Sequence, residues 1–121
     1  MRKFMNLTKA LADENRVRML MALRGGELCV CQITKLFGLA PSTISKHLSI
    51  LFQAGLIESR KSDRWVYYRL PDGAGARPVR LTLEWITVSV GKEEQILQDK
   101  KQLKQILKLN PLELCKPQCK K

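Results

Sequence analysis

Four cysteines carry the clearest chemistry in this chain, and they occur in two pairs. Cys29 and Cys31 are two residues apart, and Cys115 and Cys119 are four residues apart near the C-terminal end. Thiolates are soft ligands that select thiophilic ions over Mg²⁺ or Ca²⁺. The alternative is structural, because free cysteines are often small buried hydrophobes. Both interpretations are open for each pair on residue type alone.

The spacing of Cys29 and Cys31 sets a geometric condition on any ligand that they share. Residues i and i+2 lie roughly 200° apart around an α-helix but on the same face of extended backbone. Both sulfurs therefore reach one ion only where the segment departs from regular helix. A helix start at this point would favour the thiolate form. Ligand binding that distorts such a helix would shift whatever the helix supports.

The second pair offers several alternatives. A helical turn starting near Cys115 would bring it next to Cys119, and a tail that folds back would bring either thiol to the first pair. An incidental, solvent-exposed pair is an equal alternative. A zinc site made of all four thiolates ranks lower, because it closes a very long loop and lacks the usual CxxC spacing.

Composition points to an anionic partner. The 121 residues include 22 Lys and Arg against 11 Asp and Glu, which gives a formal net charge of +11. Nucleic acid is the commonest partner of so basic a chain, and an acidic membrane surface is second. No apolar run approaches the roughly 20 residues of a membrane span. The N-terminus lacks the apolar core of a secretory signal, so we expect a cytoplasmic chain without disulfides or a membrane partner.

The sequence argues against an enzyme. It contains a single histidine, His47, and neither a glycine-rich phosphate loop nor an HExxH helix. A thiol oxidoreductase would need CxxC at the end of a strand in a βαβ unit. We therefore predict no catalytic residues and no permanent cofactor.

Helical spacing and glycine stops predict four short helices in the first half of the chain. Phe4, Leu7 and Leu11 mark the first helix, and Asp13 is the predicted N-cap of the second. A third helix is expected from Leu28 to Phe37, and a fourth begins at Pro41 after a three-residue link. This order is typical of a helix-turn-helix. Its second helix exposes small polar and basic residues as predicted DNA contacts, namely Ser42, Thr43, Ser45, Lys46 and His47.

A β-hairpin is predicted to follow. Residues 56–60 and 65–70 flank the polar turn 61–64, and the second segment is rich in β-branched and aromatic residues. Arg60, Lys61 and Arg64 lie near its tip and are predicted to reach DNA phosphates as a wing. The fold class is therefore mainly α with a small β-hairpin (α+β), a winged helix-turn-helix.

The C-terminal part predicts a dimerisation helix. Residues 71–76 form a loop, and a long helix is expected from Pro78 towards Leu109, with Gly91 as its weakest point. A lone domain rarely needs so long a terminal helix, so we assign this helix and the first one to a homodimer surface. Residues 1–109 would form one DNA-binding and dimerisation domain, and residues 110–121 a flexible cysteine-containing tail.

These elements and their residues resemble the ArsR/SmtB family of metal-responsive winged-helix repressors. Three motifs carry the resemblance: LADENRVRML at 11–20, ELCVCQI at 27–33, and SKHL at 45–48 followed by AGLI at 54–57. The second motif resembles the box of the arsenic-responsive members. The resemblance implies a dimer on double-stranded operator DNA that is released by trivalent arsenic or antimony bound to Cys29 and Cys31.

The chain departs from the arsenic-responsive pattern at one position. Members with this box commonly carry a third cysteine three residues after the second, where this chain has Thr34. The third helix alone therefore cannot supply three thiolates, and Cys115 or Cys119 is the candidate third ligand. The alternatives are a thiol redox sensor or a sensor of soft divalent metals (Cd, Pb, Zn) on the same fold. An alternative from another class is a basic RNA- or membrane-associated protein.

Overall fold

The computed structural model describes residues 1–72, 76–110 and 114, and these residues form six helices and three short strands. The chain is mainly α with a small antiparallel sheet, as predicted. In order, the elements are α1 (Arg2–Leu11), α2 (Glu14–Leu23), β1 (Leu28–Cys29), α3 (Val30–Phe37), α4 (Pro41–Gln53), β2 (Glu58–Ser62), β3 (Trp65–Arg69), α5 (Arg77–Val90) and α6 (Glu94–Leu107).

Local sequence signals set the helix boundaries around the helix-turn-helix. The Asp13 carboxylate accepts hydrogen bonds from the backbone N–H groups of Asn15 (2.8 Å) and Arg16 (3.2 Å), which confirms it as the N-cap of α2. α3 ends at Gly38, whose φ of 66° is left-handed and favours glycine. Pro41 then opens α4, where a missing N–H costs nothing.

The sheet has three strands instead of the two that the hairpin predicts. Its order is β1-β3-β2, and all neighbours are antiparallel. The prediction that a helix begins at Leu28 is wrong, because Leu28 pairs with Tyr68 and Cys29 with Tyr67. β1 pairs with the edge of β3 that faces away from β2. This pairing supplies hydrogen-bond partners that are distant in sequence, and it overrides the local helical periodicity.

The helix predicted from Pro78 towards Leu109 is two helices, α5 and α6, which separate at the glycine that the sequence marks. A Cβ atom on Gly91 would lie 2.5 Å from the carbonyl oxygen of Thr87, so a larger residue would force a shift here. The break lets α6 turn back and pack on α2 and α3.

A buried ion pair fastens α6 to α2. Arg18 donates from Nε and Nη2 to the two carboxylate oxygens of Asp99, each at 2.8 Å, and Gln95 donates to the same carboxylate at 2.9 Å. The Asp99 side chain is only 5% exposed. Its hydrogen bond raises the pKa of Arg18, whose guanidinium also lies 4.5 Å from the centre of the Phe37 ring.

The hydrophobic core lies beneath the helix-turn-helix. Ile44, Leu48 and Leu51 of α4 are fully buried at the i, i+4 and i+7 positions that the sequence predicts. They pack with buried residues of the other helices and of the segment before β2, including Leu7, Met19, Leu20, Ile33 and Leu56. In the part of the chain that the structure describes, no helix is long and apolar enough to cross a membrane.

Candidate metal centre and nucleic-acid interface

Cys29 and Cys31 lie together in one buried cluster, and the side chain of each residue is about 1% exposed. Cys29 ends β1 in an extended conformation (φ −82°, ψ 158°), and Cys31 lies in the first turn of α3. The pair therefore spans the boundary between extended backbone and helix, and such a departure from regular helix is the condition that the i, i+2 spacing imposes on a shared ligand. Cys29, a free cysteine, belongs to the sheet, and Cys31 belongs to the helix that precedes α4.

Cys29 and Gln32 together cap the N-terminus of α3. Its backbone N–H donates to Oε1 of Gln32 at 3.0 Å, and its side chain faces the backbone N–H of Gln32 in a reciprocal capping box. The sulfur therefore lies beside the first turn of α3. Sequence analysis placed the helix start at Leu28, before the observed start at Val30, and did not predict the role of Gln32.

The walls of the cysteine cluster are apolar and aromatic, formed by Val30, Trp65, Tyr67 and Leu114. Leu114 lies beyond the end of α6, and its N–H donates to the carbonyl of Asn110 at 3.3 Å. Leu114, the residue directly before Cys115 in the sequence, thus contacts the cluster. Cys115 and Cys119 themselves lie outside the described residues, as does most of the predicted tail.

The described residues include no complete three-ligand metal site. Within residues 1–72, 76–110 and 114, no group of three His, Cys, Asp or Glu side chains is placed to hold a metal ion. Thr34, at the position of the missing cysteine, donates its hydroxyl to the carbonyl of Val30 at 2.8 Å.

The outer face of α4 presents most of its predicted DNA contacts to solvent. Ser42, Thr43, Ser45 and Lys46 are exposed, and His47 is half-buried. All but Ser45 line an open depression together with Asp13, Arg16 and Ile50. Small hydroxyl side chains and a lysine on a protruding helix face suit base edges and phosphates in a DNA groove.

Arg16 holds His47 in place, a contact that sequence analysis did not predict. Nη1 of Arg16 lies 3.2 Å from Nδ1 of His47. Arginine only donates, so Nδ1 accepts and a neutral His47 carries its proton on Nε2. Arg16 also donates to the carbonyls of Ala10 and Lys9, and it thereby ties the end of α1 to the recognition helix. The 31-residue separation left no local signal for this contact.

The three basic residues assigned to the wing differ in their surroundings. Lys61 and Arg64 are exposed near the two-residue turn of the hairpin, where Asp63 has a φ of 56°. Arg60 instead donates from Nε and Nη2 to the Glu27 carboxylate, at 2.8 and 2.7 Å. These hydrogen bonds lower the pKa of Glu27 and raise the pKa of Arg60.

An apolar surface remains exposed on α5 and α1. Leu81, Trp85 and Val88 follow i, i+4 and i+7 spacing on α5, with Trp85 64% and Val88 87% exposed. Phe4 and Met5 of α1 are exposed as well. Exposed apolar patches of this kind mark interaction surfaces.

Comparison with known proteins supports the same reading of the fold and the motifs. A model of bacterial regulatory proteins of the arsR family matches residues 13–59. The arsenic resistance transcriptional regulator ArsR1 of Pseudomonas putida is 49% identical over 63 residues, which cover 51% of this chain and 49% of the relative. The chain thus spans about half the length of that relative. The arsenical resistance operon repressor of Bacillus subtilis is 40% identical over 73 residues, covering 60% and 70%.

A cadmium regulator and two solved structures are also similar. A homologue of the cadmium resistance regulator CadC from Staphylococcus aureus is 40% identical over 65 residues, covering 53% of this chain and 54% of the relative. HlyU from Vibrio cholerae is 30% identical with a TM-score of 0.64, covering 75% of this chain and 95% of that one. The homodimeric winged helix-turn-helix DNA-binding domain Mb0332 from Mycobacterium bovis is 32% identical with a TM-score of 0.62, covering 73% and 79%.

Proposed function

This chain belongs to the ArsR family of bacterial regulatory proteins, and we propose that it is a homodimeric repressor that trivalent arsenic or antimony releases from operator DNA. The observation that carries the proposal is the burial of Cys29 and Cys31 in one cluster at the junction of β1 and α3. This junction directly precedes the helix-turn-helix. A soft ligand bound there would act on the elements that position α4.

Ligand binding in this geometry would strain the junction. Each thiol that binds arsenous acid replaces one hydroxyl group, which leaves as water with the thiol proton. Bonds from one arsenic atom to both sulfurs fix the separation of Cys29 in β1 and Cys31 in α3. Since α3 packs on α4 and joins it through a three-residue turn, a displaced α3 would move the recognition helix. The arsenic-bound protein would therefore bind the operator less tightly than the arsenic-free protein.

A third thiolate from the tail would complete the site. Trivalent arsenic binds up to three soft donors, and the core motif supplies two. Leu114 packs against the cysteine cluster, so the residue that follows it is favourably placed in sequence to supply the third. We therefore propose Cys115 ahead of Cys119 as that ligand.

The proposed DNA interface consists of α4 and the wing. Ser42, Thr43, Ser45 and Lys46 would enter the major groove, and His47 would lie at its edge against Arg16. Lys61 and Arg64 would contact flanking phosphates. The net charge of +11 supports a partner with a phosphate backbone.

The exposed apolar face of α5, with Phe4 and Met5 of α1, is the proposed dimer interface. A two-fold dimer would present two recognition helices to an imperfect palindrome, one for each half-site. The homodimeric state of the similar Mycobacterium bovis domain supports this arrangement.

The test is release of a fluorescently labelled operator, followed by anisotropy as arsenite is added. We expect arsenite to release the wild-type protein. Cys29→Ser and Cys31→Ser should bind the operator normally and resist release. Release of either variant at the wild-type arsenite concentration would remove that cysteine from the ligand set.

Two further arms separate the alternatives. Cadmium in place of arsenite tests a sensor of soft divalent ions, and hydrogen peroxide tests a thiol redox sensor. Release by either agent without release by arsenite would contradict the metalloid proposal. Equal affinity for operator and random duplex DNA at physiological salt would contradict the repressor proposal as a whole.

A further inference from the structure

Three residues lie side by side across the sheet and connect the cysteine cluster with the wing. In the register of the sheet, Cys29 of β1 pairs with Tyr67 of β3, and Tyr67 pairs with Arg60 of β2. Directly paired residues project their side chains on the same face. The Tyr67 side chain accordingly packs against the cysteine cluster, and the Arg60 guanidinium lies 4.5 Å from the centre of its ring.

Glu27 adds a fourth residue to this row, because it is hydrogen-bonded to Arg60. It stands two residues before Cys29, and its carboxylate accepts two hydrogen bonds from Arg60, at 2.8 and 2.7 Å. The Arg60 side chain thus reaches across β3 to the segment that carries Cys29. The paired geometry is bidentate, which fixes orientation as well as distance.

We propose that Glu27 and Arg60 form the link by which ligand binding at the cysteines reaches the wing, so that Glu27 positions Arg60. This inference rests on the proposed function. In the ligand-free protein the pair holds β2 against the segment before Cys29. Arsenic that moves Cys29 towards Cys31 moves Glu27 with it. This movement breaks the two hydrogen bonds from Arg60 to Glu27 and releases the wing from its DNA-binding position.

The exposure of the pair suits a switch. The Arg60 and Glu27 side chains are 51% and 26% exposed, so the pair contributes little to folding and opens at low cost. Its effect on DNA affinity should therefore be measurable in a protein that still folds.

The experiment measures the release factor, defined as the operator dissociation constant with saturating arsenite divided by that without it. The variants are Glu27→Gln, Arg60→Lys and the double variant, with Glu58→Gln as the matched control. Glu58 pairs with Arg69 at 3.1 Å inside the same hairpin, and both side chains are about half exposed. Glu27→Gln and Glu58→Gln each remove one negative charge that pairs with an arginine of the wing, but only the first breaks the connection to the cysteine segment.

We expect Glu27→Gln to weaken operator binding in the arsenite-free state only, which lowers the release factor about threefold, the range of one exposed ion pair. Arg60→Lys keeps the positive charge but loses the bidentate hydrogen bonding, so it should lower the release factor equally. The double variant should lower the release factor no further than either single variant does. Glu58→Gln should leave the release factor at the wild-type value.

Two results would overturn the inference. One is a release factor for Glu27→Gln equal to that of the wild type and Glu58→Gln. The other is full additivity of Glu27→Gln and Arg60→Lys, because independent residues would then act on DNA separately. Failure of arsenite to release even the wild-type protein would overturn the proposed function itself, and this outcome is visible in the first titration.

Discussion

Cys29 lies directly opposite Tyr67 in the antiparallel pairing of β1 and β3. One of the two candidate ligands is therefore part of the sheet that forms the wing, whereas Cys31 is part of the first helix of the helix-turn-helix. A ligand that binds both sulfurs must act on both DNA-binding elements. Under the proposed function, this arrangement lets a Cys-x-Cys motif at this junction regulate DNA binding without touching DNA.

Removal of the proposed third thiolate should weaken the arsenite response selectively. We expect Cys115→Ser to raise the arsenite concentration for half-release by at least about tenfold, since even outer-shell partners of a ligand are worth about 10- to 100-fold. Release by a monomethylated trivalent arsenical should stay unchanged, because it binds only two protein sulfurs. Cys119→Ser is the matched control. An unchanged arsenite response in Cys115→Ser would leave a two-thiolate site or assign the role to Cys119.

The wing should show one clear phosphate contact in the salt dependence of DNA binding. Arg64→Gln should reduce the slope of log affinity against log salt by about one, because one fewer counterion is released. Arg60→Gln should change the slope much less, since Glu27 already neutralises Arg60. The measurement is operator affinity at several salt concentrations. An equal loss of slope in both variants would return Arg60 to the set of phosphate contacts.

The ion pair between α2 and α6 should be important for stability. Asp99→Asn leaves the Arg18 guanidinium without its charged partner, so we expect a loss of about 2–3 kcal/mol in the free energy of unfolding. Urea unfolding of the variant measures this loss. Glu58→Gln, which breaks an exposed pair, should change stability by less than about 1 kcal/mol. A loss for Asp99→Asn as small as the control's would mean that apolar contacts alone hold α6 in place.

The dimer interface should be sensitive to a charge on α5. Val88→Glu would bury an unpaired carboxylate in the proposed interface and should raise the dimer dissociation constant by at least about 100-fold. Sedimentation equilibrium measures this constant. Leu107→Glu on α6, at a residue that is 51% exposed, is the control and should leave it unchanged. A dimer that persists in Val88→Glu would move the interface to another surface.

Sequence reasoning predicted the parts of the structure that depend on local signals. Asp13 as a cap, Gly38 as a stop and the buried face of α4 at Ile44, Leu48 and Leu51 each follow from one residue type or one period. The start of α3 was wrong because Leu28 and Cys29 obtain hydrogen bonds from β3, a strand far along the chain. Periodicity has no access to such a partner.

Sequence reasoning proposed candidate ligands for the site but gave none of the contacts that connect it to the rest of the protein. The Cys-x-Cys motif points to Cys29 and Cys31 because cysteine spacing is a local property, and their role as ligands stays a prediction. The pairing of Glu27 with Arg60, and the hold of Arg16 on His47, join residues 33 and 31 positions apart. Charged side chains on the surface find such partners only through the tertiary fold. Sequence analysis accordingly treated Arg60 as a DNA contact in the same way as Lys61 and Arg64.

The number of sulfur atoms bound to arsenic tests the central claim most directly. X-ray absorption at the arsenic edge, on protein loaded with one equivalent of arsenite, gives this number for the wild type, Cys29→Ser and Cys31→Ser. We expect sulfur-only coordination in the wild type, and one sulfur fewer, replaced by oxygen, in each variant. The same sulfur number in all three proteins would contradict the assignment of Cys29 and Cys31 as the ligands.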